Sequence, residues 1–141
     1  MRTFYIFNIN KNFYSLYKEN PTSLYNILKQ ISTLMKNDIN YAYNIFNQVA
    51  NPIDKNTLDR KIFIDLHNLM PYNKKEDIHI YSNMYLDEET KMEIKDTYIK
   101  IDSNKDIAYF LRVLDKYNDE FFVCDFKNKD YFYLSDAKTL V

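Results

Sequence analysis

Glycine does not occur anywhere in the 141 residues. Its absence removes the phosphate-cradling loops of the P-loop and dinucleotide type. It also removes the G-x-S-x-G nucleophile elbow and the turn glycine of an EF-hand. Backbone positions that need φ > 0 must fall to Asn or Asp, and Asn128, in a short polar turn, is the expected case. Cysteine occurs once, so no internal disulfide can form, which suits a reducing compartment. Cys124 lies within an apolar segment and reads as a small buried hydrophobe, not a reactive thiol. The only histidines, His67 and His79, come from different segments with no Cys or second His at ligand spacing. No Ser-His-Asp or Cys-His grouping can be assembled, so the expectation is a protein without catalysis, cofactor or metal. Net charge is only −1, which leaves no electrostatic footprint for nucleic acid or an anionic membrane. No apolar run reaches membrane-spanning length and the first residues lack signal-peptide form, so a cytoplasmic location is expected.

Aromatic residues are plentiful: 14 Tyr and 10 Phe in a chain that is 46% apolar. That composition specifies a packed core, and the length suits one domain over residues 1–141. The chain opens on Phe4-Tyr5-Ile6-Phe7-Asn8-Ile9 and closes on Phe121 to Phe126 and Tyr131 to Leu134 around a polar turn. Both segments are apolar on both faces, as in the middle of a sheet covered on two sides. The two ends are therefore expected to pair or lie close in one sheet.

Between them, helices are predicted over residues 11–19, over 24–35 after a break at Pro21 with Thr22 or Ser23 as cap, over about 39–51, and from Asp54 to Pro71. The period then changes. Residues 77–82 read as a strand that 84–86 continue, 87–90 as a polar turn, and 91–101 as one strand bent near Asp96. Ser103 and Asp106 resemble a capping box for a helix running to Tyr117. The predicted order is β-α-α-α-α-β-β-α-β-β. Clustered helices beside clustered hairpins mean α+β: a mixed, mainly antiparallel sheet of about five strands.

Candidate chemistry is sparse. Acidic residues 87–89 could hold a cation, but three adjacent side chains cannot all point inward, so a solvated turn is favoured. Asp125 and Asp130 bracket the last turn and suit its backbone groups better than acid–base work. The strand aromatics could stack nucleic-acid bases, yet the lysines are scattered among acids, so core packing is the stronger reading. The remaining feature is Phe13, Leu16 and Tyr17 on one helical face, with Tyr14 at its edge. Such a stripe either packs inward or serves as an exposed interface anchor, and periodicity does not choose between the two.

The opening strand followed by Phe13-x-x-x-Tyr17 resembles the start of the sporulation inhibitor of replication, or SirA, family. So do the Asn51-Pro52-Ile53 step, the F-x-x-x-D-F-x-x-x-x-Y pattern from Phe121 to Tyr131, and the terminal Leu140-Val141. The residues near 44–48 depart from the family's second interaction patch. The resemblance implies inhibition of replication initiation by binding the N-terminal domain of the initiator DnaA. It implies Phe13 and Tyr17 as the partner-binding residues. The alternatives are another cytoplasmic adaptor of the same fold, or a single-stranded nucleic-acid binder.

Overall fold

The computed structural model describes residues 1–136; the Leu140-Val141 pair lies outside them. One antiparallel sheet of seven strands runs in the order β2-β3-β4-β5-β1-β6-β7. The strands are β1 (Arg2–Asn8), β2 (Tyr72–Lys75), β3 (Ile78–Asn83), β4 (Glu88–Ile94), β5 (Ile99–Ser103), β6 (Phe121–Asp125) and β7 (Asp130–Tyr133). The helices are α1 (Lys11–Tyr17), α2 (Pro21–Leu34), α3 (Ile39–Val49), α4 (Lys55–Leu66) and α5 (Tyr109–Leu114). The α+β class holds, and β1 lies between β5 and β6, so the two ends of the sequence do share a sheet.

The two-sided apolar strands are covered on both faces. Phe4 and Ile6 of β1 join Phe121 and Val123 of β6 in one cluster, closed by Ile62 and Leu66 of α4 and Phe110 and Leu114 of α5. The intervening Phe7, Phe122 and Cys124 belong to a second cluster beneath Leu24, Leu28 and Ile31 of α2 and Ala42 and Phe46 of α3. A buried Phe of this kind contributes on the order of 3–5 kcal/mol. The α2–α3 layer does not reach β3 and β4. Their uncovered face carries Lys91 and Glu89, with Ile78 and Ile80 on it, while His79 and Tyr81 turn to the core.

Several local expectations need correction. The sheet has seven strands instead of about five, because Tyr72–Lys75 adds an edge strand and residues 91–101 are no single bent strand. The chain reverses fully between β4 and β5, with the Lys95 N–H donating to the Tyr98 carbonyl at 2.9 Å. The acidic turn is largely strand. Glu88 is buried in β4, where it accepts from Thr90 Oγ1 at 2.6 Å and from the Tyr109 N–H at 2.8 Å. That second bond caps α5, whose own N-cap, Ala108, has no side-chain oxygen. Ser103 is therefore not a helix cap. It is buried in β5, with its Oγ 2.7 Å from Thr90 Oγ1.

At α2, Pro21 opens the helix at its first turn and Asn20 caps it, in place of Thr22 or Ser23. Asp38 and Asp54 cap α3 and α4 in the same way. Positive φ occurs at Glu76, Asp87 and Lys129, and Asn128 is not among them. Asn128 stabilises its turn through its side chain and N–H, both donating to Asp125.

Candidate functional site

Helix α1 is fixed at its start and only partly covered along its length. Asn10 Oδ1 accepts from the Asn12 N–H at 2.9 Å, and the Asn10 N–H donates to the Val49 carbonyl at 2.8 Å. Ile9 bridges Ala50, so the entry to α1 is tied to the exit of α3. No residue of α1 is buried. Tyr14 faces inward, with its ring edge-on to Tyr133 at 5.0 Å and its hydroxyl 3.2 Å from Ser135 Oγ. Burial, with Tyr14 and Asp136 nearby, pushes the Tyr133 phenol up to about 12. The hydroxyl thus stays protonated, and it donates to the Tyr17 carbonyl at 2.5 Å.

These contacts hold the helix against β7 by a side other than its aromatic stripe. Phe13 and Tyr17 are half-buried and stack on each other at 5.7 Å with 26° between ring planes. Leu16, beside them, is 70% exposed. The stripe is thus neither a core face nor fully free: it packs against the second cluster from outside and offers the rest of its area to solvent. Such a ledge suits apolar binding and carries no group for acid–base chemistry. Tyr14, Tyr133 and Ser135, which set its orientation, gave no sequence signal beyond the edge position of Tyr14.

The other candidates serve the fold. His79 is wholly buried, with Nε2 2.7 Å from Asp59 Oδ1 and Nδ1 2.7 Å from the Tyr72 hydroxyl. A carboxylate only accepts, so Nε2 carries the proton and Nδ1 accepts from Tyr72. Burial pushes the imidazole below its ordinary value against the opposing pull of Asp59, and pushes Tyr72 up to about 12. The three form a neutral-imidazole hydrogen-bonded relay buried in the core. His67 lies at the exposed end of α4 and bonds to the Ile64 carbonyl at 2.9 Å.

Asp125 and Asp130 both accept from Arg2, at 2.9 Å each, and so does Asp106 at 3.0 Å. Burial works to raise Asp125, but bonds from Asn128 and Arg2 hold its carboxyl below the usual range. Cys124 is buried, and that burial pushes its thiol well up. Among the described residues, no group of three or more His, Cys, Asp or Glu could hold a metal ion. Among the described residues no helix is long and apolar enough to cross a membrane.

Residues 2–138 match the family described as Sporulation inhibitor of replication protein SirA, nearly the whole chain. No curated protein matches it.

Proposed function

The chain belongs to the SirA family of sporulation inhibitors of replication, and from that premise we propose that it acts by binding alone, without catalysis. The partner in this reading is the N-terminal domain of the initiator DnaA, in the cytoplasm, and the contact is made through Phe13 and Tyr17. The observation that carries it is the half-exposed stack of these two rings on a helix anchored by its other side. A preset aromatic pair loses little rotamer freedom on binding, and the Tyr17 hydroxyl can bond at the rim. The single-stranded nucleic-acid reading finds no comparable support, because Phe122 and Tyr133 are buried under α2 instead of lying on an open sheet.

The test pairs affinity with stability. Phe13→Ala should weaken binding to the purified DnaA domain by about 2 kcal/mol or more, roughly thirtyfold. A half-buried ring should cost the fold only about 1–2 kcal/mol, less than the 3–5 of a core Phe. Tyr17→Ala should behave alike, and overproducing the double variant should no longer lower origin number. A folded variant that binds normally, or one that loses core-scale stability, rules out the ledge as the interface.

A further inference from the structure

We propose that the cleft between the C-terminal half of α2, α3, strand β1 and the β4–β5 and β6–β7 turns binds a small, flat, apolar molecule that carries one acidic group. The cleft encloses about 600 Å³, inside the span of roughly 300–1,000 Å³ usual for small-molecule sites. It exists because the α2–α3 layer stops short of β5, leaving the aromatic face of β1 partly roofed. One wall is aromatic: Tyr5, Phe7, Tyr98 and Phe126. Their rings brace each other, with Tyr5 at 5.6 Å from both Tyr98 and Phe126, and Phe7 6.3 Å from Tyr98. Rings held edge-on or tilted by neighbours cannot fold in to fill the space, so the cleft stays open. The facing, helical wall is mixed, with Leu28 and Ile31 of α2 beside Tyr43 and Phe46 of α3. A slot lined on both sides by rings and aliphatic side chains fits a planar apolar body.

The charge around the slot specifies the rest of the ligand. The chain has 20 acidic and 19 basic residues, yet among the described residues no carboxylate lines the cleft, whereas Arg2, Lys36 and Lys127 do. Arg2 is committed to Asp106, Asp125 and Asp130. Lys36 and Lys127 are both exposed, and among the described residues neither forms a salt bridge. Two cations from separate turns, beside a lining without negative charge, favour an anion.

Two dyes with the same ring system test this on the whole chain: 8-anilinonaphthalene-1-sulfonate and the uncharged N-phenyl-1-naphthylamine. The sulfonate should bind saturably, one to one, and about tenfold more tightly than its neutral analogue. Lys36→Glu with Lys127→Glu should weaken the sulfonate about tenfold and change the neutral dye less than about twofold. Ser32→Trp places bulk in the cleft from an exposed position on α2, and should weaken both dyes while keeping the native melting temperature. If that variant does not fold, the dye comparison and the lysine pair decide alone. Phe13→Ala should leave both dyes unaffected, which separates this site from the α1 ledge. Non-saturable binding, equal affinity for the two dyes, or unchanged binding in folded Ser32→Trp overturns the proposal.

Discussion

Replacing His79 with leucine should destabilise the fold far more than its single side chain suggests. The substitution keeps approximate volume and removes two buried hydrogen bonds at once, each 2.7 Å long. It leaves the Tyr72 hydroxyl without its acceptor, a loss of about 1–3 kcal/mol. It also leaves Asp59, 7% exposed, as a nearly buried carboxylate without its donor, where losses of about 3–5 kcal/mol are usual for a fully buried charge. Because Asp59 keeps some solvent contact, the sum should be about 3–4 kcal/mol. For a chain of 141 residues, an unfolding entropy of about 2.1 cal/mol/K per residue makes that a fall in Tm of roughly 10–14 °C.

The same group gives a pH signature. The folded-state imidazole titrates below its ordinary value, chiefly because of burial. The unfolded chain therefore takes up this proton first. The contribution of His79 is full above about pH 6.5 and falls as the pH drops from there through the folded-state value. Denaturant melts at pH 7.5, 6.5 and 5.5 should show wild-type stability declining across that window, ahead of carboxylate protonation, and His79→Leu should lack that component. A variant melting within about 2 °C of wild type would refute the relay. So would wild type gaining stability toward pH 5.5, since His79 would then be charged in an ion pair.

Two further outcomes follow from the ends of the chain. Arg2→Met removes the cation that Asp125 faces with only 2% exposure; since Asn128 still donates to that carboxyl, the loss should be about 2 kcal/mol. The contribution of Asp125 is present at neutral pH and is lost as pH falls through its lowered folded-state value, so the variant's acid limb should be shallower in titrations followed by circular dichroism. Cys124→Ala should cost about 1–2 kcal/mol in denaturant melts through lost packing. The native thiol should react with a disulfide reagent only as fast as the protein unfolds, and immediate reaction would show that it is accessible.

The sequence revealed its elements where apolar periodicity was strong, and hid them where buried polar groups carry the structure. Strand β1, the final hairpin and α2 to α4 follow directly from Phe4–Phe7, Phe121–Cys124 and the spaced leucines and isoleucines. Edge strand β2 reads Tyr-Asn-Lys-Lys, with Tyr72 its one buried residue and lysines of the kind that guard an open sheet edge, so it shows no apolar alternation. Glu88 looked like turn material. Its burial depends on Thr90 and on a helix start from another part of the chain, which no local pattern discloses. Without glycine, two tight turns set Glu76 and Lys129 at positive φ, choices that propensity alone does not favour. The Phe13–Tyr17 face was legible from its spacing. Its half-exposure was not, because that depends on Tyr133 holding Tyr14 from a strand at the far end of the sequence. The cleft was illegible for the same reason: its walls come from β1, α2 and two distant turns.

The position of β1 at the centre of the sheet has a consequence for how the protein is made. The strand emerges during synthesis before either of its partners, for Arg2 pairs with Ser103 and Tyr5 with Cys124. Until those partners exist, a segment apolar on both faces must wait with two open hydrogen-bonding edges. Closing the sheet on it ties together residues far apart in the chain, which places folding among the slow, high-contact-order cases. The four-stranded meander β2–β5 and the hairpin β6–β7 can each form from local contacts, but within the sheet this early strand is what lies between them. A nascent or truncated chain therefore presents Phe4–Phe7 as a sticky strand, and assembly is governed by the wait for the last hairpin.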